Sequence, residues 1–161
     1  MNKRIEAQKI DPSTLDEEDI RAIEVALNQE VRAFRFYAKA ADMLGNPSGR
    51  AAFEYFRQEE RGHVEVLEAV RGPSDRVEKE DLAYGFMDAG SGAMEAVQWA
   101  MKEELNSQSM YRRLESRCAH PGLKDLFRRL ASAEDHHFSV LHEMRRIIEA
   151  GRLDQFDYRT V

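Results

Sequence analysis

Cysteine is almost absent from this 161-residue chain, in which Cys118 stands alone. One cysteine excludes an intrachain disulfide framework and any zinc or iron site that is built from several thiolates. It also favours a reducing, cytoplasmic setting. No apolar run approaches the ~18 residues of a membrane-spanning helix. No apolar stretch follows Lys3 and Arg4, so no secretory signal is predicted either.

Proline and glycine are also scarce, with 4 and 9 residues, and the breaks they make divide the chain. No segment alternates apolar and polar residues like a strand, whereas the stretches between the breaks have helical periodicity. The sequence therefore predicts an all-α fold, a single four-helix domain over residues 1–161 with two antiparallel hairpins. The predicted boundaries are about 17–71 for hairpin one, 72–90 for a long crossover, about 91–150 for hairpin two and 151–161 for a tail.

Local signals predict how some of these segments begin and pack. Thr14 and Glu17 have the spacing of a capping box, and Asn46 followed by Pro47 is typical of a helix N-terminus. Apolar residues in the crossover are predicted to cover apolar surface, and those in the tail to dock on the bundle. These residues are Leu82, Tyr84, Phe86 and Met87 in the crossover, and Leu153, Phe156 and Tyr158 in the tail.

The two predicted hairpins repeat one another at an offset of 74 residues. The register holds across the loop of each hairpin without a gap, which predicts an approximate two-fold axis between them. Most matched residues are of core or turn type, but glutamate and histidine are not. The matched pairs include Ala26 with Ala100, Glu30 with Glu104, Tyr37 with Tyr111, Pro47 with Pro121, Phe53 with Phe127, Glu60 with Glu134, and His63 with His137.

Each predicted helix carries an apolar stripe with steps of three and four residues, and a glutamate interrupts every stripe near its middle. The second and fourth helices add a histidine three residues later on the same face. The stripe of the first helix reads Ile20, Ile23, Leu27, Glu30, Phe34, Tyr37, Ala41 and Leu44. That of the third reads Met94, Val97, Met101, Glu104, Gln108 and Tyr111.

Four carboxylates at one level of a core cannot all stay charged and unpaired. Two divalent cations would neutralise four glutamates if both histidines bind as neutral ligands. Oxygen and imidazole ligands together suit iron or manganese, and zinc could also occupy such a site. The pattern therefore favours a pair of metal ions. The alternative is that each glutamate lies at a bundle edge with its head group in water, and that each histidine is a hydrogen-bonded core residue.

These residues resemble the ferritin-like di-iron carboxylate superfamily, and rubrerythrin-like proteins in particular, over roughly residues 17–150. The resemblance is carried by Glu30 with Tyr37, the run from Glu60 to His63, Glu104 with Tyr111, and the run from Glu134 to His137. It implies a ferritin-like bundle with Glu60 and Glu134 as bridging ligands, and Tyr37 and Tyr111 as hydrogen-bond donors near the metals. The implied metal ligands are Glu30, Glu60, His63, Glu104, Glu134 and His137.

The chain departs from that family in three ways. One cysteine cannot build the rubredoxin-type iron domain that rubrerythrins carry. Ser107 stands where they have an extra carboxylate, and His137 where they have a glutamate, so the ligand set is closer to bacterioferritin. Bacterioferritin, however, binds haem through a methionine at the position of Arg61, so no haem is expected. Tyr37 and Tyr111 could equally be core tyrosines, and His136 is predicted to point away from the site.

The resemblance implies a binuclear non-haem iron oxidoreductase that reduces peroxide or O₂. Because no second redox centre is encoded in these residues, an external electron-donor protein is expected. The alternatives are ferritin-like iron oxidation and storage, or a non-catalytic metal-binding bundle. A homodimer is the expected assembly, and the crossover would allow two chains to exchange hairpins. The net charge of −6 argues against a mainly electrostatic partner such as nucleic acid, and no membrane partner is expected.

Overall fold

The computed structural model of the chain describes residues 10–72 and 92–161. Over these two ranges the fold is helical without any strand, which confirms the prediction of an all-α, ferritin-like four-helix bundle. The α-helices are α1 (Glu17–Met43), α2 (Pro47–Arg71), α3 (Ala93–Arg117) and α4 (Pro121–Glu149). Short 3-10 turns cover Pro12–Thr14, Leu153–Gln155 and Tyr158–Thr160.

Side-chain caps mark where the helices begin. Asn46 accepts a hydrogen bond from the backbone N–H of Gly49 at 2.9 Å, and Pro47 takes the first helical position, as predicted. In α4, His120 Nδ1 accepts from the N–H of Leu123 at 3.3 Å. These contacts satisfy backbone donors that have no partner in the first helical turn.

The predicted capping box of α1 is wrong. Asp16 caps this helix and accepts a hydrogen bond from the N–H of Asp19 at 2.8 Å. Thr14 belongs instead to the preceding 3-10 turn, where its hydroxyl donates to the carbonyl of Asp11 at 2.7 Å. Thr14 and Asp16 both have side chains that can cap a helix, and Asp16, directly before Glu17, is the one that does.

Each hairpin forms around its own short loop, with α1 packed on α2 and α3 packed on α4, while α1 also contacts α3. The predicted crossover residues Leu82, Tyr84, Phe86 and Met87 lie outside the described residues.

Two apolar clusters fill the two ends of the bundle, and both draw on all four helices. One lies towards the hairpin loop of α1 and α2 and includes Phe36, Phe53, Phe56 and Leu141. The other lies towards the loop of α3 and α4 and includes Leu27, Leu67, Tyr111, Phe127 and Leu130. The glutamates of the sequence repeat fall between them, at mid-height.

Most residues of the predicted apolar stripes are buried, but individual positions along them are not. Ile20 is 40% exposed, and Phe34 is only half-buried, whereas Phe36 beside it is 1% exposed. On α3 the buried residue is Ser107 rather than Gln108. Since 3.6 residues per turn do not match a strict seven-residue repeat, the buried face rotates along a straight helix.

The tail docks on the bundle, as predicted. Phe156 is 5% exposed and joins the apolar cluster near the loop of α1 and α2. The ring of Tyr158 stacks on that of Tyr55, with centroids 4.7 Å apart. Among the described helices, none has the length and apolar character needed to cross a membrane.

Candidate metal centre

Every helix places one glutamate at the middle of the bundle, and α2 and α4 each add a histidine. The helical repeat explains this arrangement, because side chains three residues apart lie on the same face of a helix. All six side chains are buried, with exposures between 0% and 4%. They are Glu30 of α1, Glu60 and His63 of α2, Glu104 of α3, and Glu134 and His137 of α4.

The six residues form two overlapping groups of four, and each group offers ligand atoms within 4.8 Å of one another. We name each group by its histidine. The His63 position comprises Glu30, Glu60, His63 and Glu134, and the His137 position comprises Glu60, Glu104, Glu134 and His137. Glu60 and Glu134 therefore belong to both.

Each shared carboxylate gives one oxygen to each position. Glu60 Oε2 lies 3.2 Å from His63 Nδ1, and Glu60 Oε1 lies 3.1 Å from His137 Nδ1. Glu134 is split in the same way, with Oε1 at 3.3 Å from His63 Nδ1 and Oε2 at 3.4 Å from His137 Nδ1. This is the arrangement that two bridging carboxylates need. The two imidazole rings lie nearly parallel, 5.6 Å apart.

The remaining glutamates each serve one position. Glu30 Oε2 lies 3.3 Å from His63 Nδ1, and Glu104 Oε2 lies 3.5 Å from His137 Nδ1. The approximate two-fold relation of the sequence repeat is thus present in the atomic arrangement of the site.

Several polar atoms in this cluster are buried but make no hydrogen bond within the described part of the chain: Glu60 Oε1, Glu104 Oε2, Glu134 Oε1 and both ring nitrogens of His137. Leaving such atoms without a partner is costly in a protein interior. Oxygen and nitrogen lone pairs that converge without hydrogen-bond geometry are what a metal ion would satisfy. The residues present therefore fit a pair of metal ions.

The outer glutamates hold their protons when no metal is bound. Burial raises the pKa of Glu30 well above its usual 4.5, and the charges of Glu60 and Glu134 raise it further. Burial and the charge of Glu134 likewise raise the pKa of Glu104 well above 4.5.

The shared glutamates and the histidines are charged instead. Burial raises the pKa of Glu60, but the close contacts with Glu30 and His137 outweigh it and hold that pKa well below 4.5. Contacts with both histidines similarly lower the pKa of Glu134, against burial and the charge of Glu60. Burial lowers the pKa of the histidines, but the carboxylates around them keep it well above 6.5. The shared carboxylates therefore favour the charged form beside two histidines that favour the imidazolium form.

Two tyrosines link the hairpins through the outer glutamates. The hydroxyl of Tyr37 in α1 donates to Glu104 Oε1 in α3, and that of Tyr111 in α3 donates to Glu30 Oε1 in α1. Burial and the neighbouring glutamate charges raise the pKa of both hydroxyls well above 10.0, so both keep their protons. The structure thus places the predicted tyrosines against the predicted ligands.

Sequence reasoning missed part of the surroundings of the site. Gln29 Nε2 donates to Ser107 Oγ at 3.0 Å, one helical turn beyond Glu104. The rings of Phe56 and Tyr55 stand edge-on to His137, with centroids at 5.4 and 6.4 Å. The sequence has three aromatic residues close together, Phe53, Tyr55 and Phe56, but such a cluster is typical of a hydrophobic core. His136 is half-buried and belongs to neither position.

Comparison with protein families gives one match, in which the rubrerythrin family model covers residues 4–71. No curated protein and no solved structure matches the chain. The match spans hairpin one with Glu30, Glu60 and His63, and it confirms the resemblance to rubrerythrin-like proteins. Hairpin two lies outside the match, so its part in the site rests on the internal repeat and on the geometry.

Proposed function

We propose that this rubrerythrin-like chain binds a pair of iron ions between its hairpins and reduces peroxide or O₂ with electrons from a separate protein. One observation carries the proposal: Glu60 and Glu134 each direct one oxygen to the His63 position and the other to the His137 position. Two carboxylates bridging within a set of four glutamates and two histidines are typical of di-iron carboxylate bundles.

A bound iron pair would supply two electrons at one place, which matches the reduction of H₂O₂ to two waters with two protons. The mixed oxygen and imidazole ligands suit iron or manganese, and zinc remains an alternative for a non-catalytic bundle. The protein surrounds the site with two apolar clusters, which exclude bulk water and strengthen its electrostatic interactions.

The tyrosines orient the two outer glutamates. Tyr37 holds Glu104, and Tyr111 holds Glu30, through hydroxyl hydrogen bonds that cross between the hairpins. Partners of this kind fix the orientation of a ligating side chain and raise metal affinity. Both phenols keep their protons, so each O–H remains the donor that holds its glutamate.

The electrons are proposed to come from another protein. The 161 residues contain a single cysteine, which is buried and has a pKa raised to about 12 by burial and by the nearby charge of Asp19. Such a thiol neither ligates iron readily nor exchanges electrons as a thiolate. We therefore propose a one-electron donor protein, and a homodimer as the working assembly.

A second candidate is iron oxidation and storage, favoured by the symmetric ligand set in which His137 mirrors His63. Size-exclusion chromatography with iron analysis separates the two. A large shell with many irons per chain supports storage, whereas a small oligomer with about one iron pair per chain supports the oxidoreductase.

The oxidoreductase proposal is tested by metal quantification together with stopped-flow oxidation of the reduced protein by H₂O₂ and, separately, by O₂. We expect iron-dependent oxidation in the wild type and its loss in Glu60→Ala. Glu65→Ala is the matched control, because it removes an exposed glutamate of the same helix that pairs with Arg61. Full iron loading without reaction towards either oxidant would contradict the proposal, and zinc in protein purified without added metal would favour the non-catalytic bundle.

A further inference from the structure

The His137 position has an aromatic connection to the protein surface. The ring of Tyr55 stands edge-on to His137, with centroids 6.4 Å apart and an interplanar angle of 81°. Tyr158 stacks on Tyr55, with centroids 4.7 Å apart and an interplanar angle of 16°. Three rings thus follow one another from the tail to a predicted metal ligand.

The outer end of this series lies on the docked tail. Tyr158 is half-buried in the last 3-10 turn. Arg159 beside it has a 73% exposed side chain, and its guanidinium carbon lies 6.0 Å from the centre of the Tyr158 ring. Phe156 holds the segment in place, since it is 5% exposed within the apolar cluster. The first ring is therefore accessible from solvent, while the last touches the site.

Among residues 10–72 and 92–161, the internal repeat does not reproduce these aromatic contacts at the His63 position. At the offset of 74 residues, Tyr55 aligns with Arg129 and Phe56 aligns with Leu130. The ligands are duplicated, yet the rings against the histidine occur in one half. Duplicated scaffolding therefore does not account for the aromatic series.

We infer that Tyr158 and Tyr55 form the route by which a one-electron donor protein reduces the metal at the His137 position. The inference rests on the proposed function. Electron tunnelling weakens steeply with the distance between orbitals in contact, and stacked aromatic rings shorten the gaps between them. Another aromatic series also reaches His137, but it is longer by two rings. It runs from Trp99 through Phe36, Tyr37 and Phe56.

The step transfers electrons alone. An iron–sulfur or flavin protein loses one electron, and a ferric ion at the His137 position gains it and becomes ferrous. No bond forms or breaks, and the tyrosine rings mediate the transfer without being oxidised. Two such transfers supply the two electrons that, with two protons, convert one H₂O₂ into two waters.

The test uses a photoreductant in place of the unidentified donor. A ruthenium polypyridyl label is attached to Thr160→Cys in a Cys118→Ala background, with ascorbate as the sacrificial quencher. After a flash, electron injection into the oxidised, iron-loaded protein is followed by the label's absorbance and by the paramagnetic signal of the one-electron-reduced iron pair. We expect Tyr158→Leu and Tyr55→Leu each to slow injection by about an order of magnitude or more. Tyr158→Phe and Tyr55→Phe should retain it, because the ring is kept.

A second label site provides the matched control. Ser132 is exposed on α4, three residues from Arg129, the repeat counterpart of Tyr55. Injection from a label on Ser132→Cys should be unaffected by Tyr158→Leu. Equal slowing from both labels would show that the variant merely disturbs the site and would overturn the route, as would unchanged injection from position 160 in both leucine variants.

Two further measurements separate structure, route and function. Near-UV circular dichroism of the metal-free variants, together with their iron content, reports whether the fold and the ligands survive. Route-dependent injection in a protein that reduces neither peroxide nor O₂ would support the route and contradict the proposed function. Reduction of peroxide or O₂ by a protein whose electron injection does not depend on the tyrosines would support the proposed function and contradict the route. A wild-type protein that binds no redox metal would contradict both the route and the function.

Discussion

The His63 and His137 positions have matching ligands in unlike surroundings. Each comprises one histidine, one glutamate of its own and the same two shared glutamates. The edge-on rings of Tyr55 and Phe56, however, contact His137, while the repeat places Arg129 and Leu130 at the corresponding residues of α4. Coordination can therefore be symmetric while the access to each position differs.

A polar contact beside Glu104 adds to the contrast. Ser107, one turn after that glutamate, is 4% exposed and accepts a hydrogen bond from Gln29. The repeat places Ala33 at the matching position one turn after Glu30. A hydroxyl thus lies near one outer glutamate, and a methyl group takes its place near the other.

The largest effect is expected from a residue that both positions share. Glu134→Ala removes one oxygen from each position and one of the negative charges that two cations require, so both metals should be lost. Metal analysis of the purified variant measures this. Asp135→Ala is the control, because Asp135 is exposed and its side chain accepts a hydrogen bond from Gln108 outside the metal cluster. Retention of a full metal pair in Glu134→Ala would show that this glutamate does not bridge.

Removing one histidine should affect one metal position and leave the other. In His63→Ala and His137→Ala, we expect one metal to be lost and the other retained, since each imidazole faces its own position. Titration of the metal-free variants with Fe²⁺ under anaerobic conditions gives the stoichiometry. Loss of both metals in either variant would show that the two positions fill only together.

Smaller effects on metal affinity are expected when a tyrosine of one hairpin loses its hydrogen bond to a glutamate of the other. Tyr37→Phe removes the hydroxyl that holds Glu104, so it should weaken the His137 position although Tyr37 lies in hairpin one. Tyr111→Phe should weaken the His63 position through Glu30. Loss of such a partner typically costs ~10–100-fold in metal affinity. Competition with a chelator measures each affinity, and an unchanged affinity in both variants would leave the tyrosines as core residues.

The smallest expected effect is a gradual change of the metal affinity with pH. In the metal-free cluster, Glu30, Glu104 and both histidines hold protons that metal binding must displace. Apparent metal affinity should therefore rise with pH, and metal binding should release protons. Calorimetry in buffers of different ionisation enthalpy counts the protons, and binding without proton release would contradict these protonation states.

The same protonation equilibria predict how the stability of the metal-free protein changes with pH. The pKa values of Glu30 and Glu104 are raised in the folded state. Their contribution to folding stability is therefore present below pH 4.5, the usual pKa, and is lost as the pH rises through the raised values. The histidine contribution is present below 6.5 and is likewise lost at higher pH. Denaturation with chelator present should therefore show lower stability at about pH 9 than at about pH 6.

Sequence periodicity predicted the candidate site well because its residues break the pattern of the core. A glutamate in the middle of an apolar stripe is conspicuous, and its recurrence at a constant offset in Glu104 and Glu134 removes the ambiguity of a single motif. The same reasoning misplaced Ile20, Phe34 and Gln108, since the burial of a single position depends on which neighbouring helix faces it. It also assigned the first cap to Thr14, where local competition decided for Asp16.

The sequence by itself determined the helical class, the two hairpins and the set of six polar core residues, because these follow from short-range periodicity and an exact offset. Only the tertiary structure decided which oxygen faces which histidine, that each tyrosine reaches across to the other hairpin, and that Tyr158 stacks on Tyr55. Those contacts join residues far apart in the chain. Their geometry depends on how helix faces pack together, which no local pattern encodes.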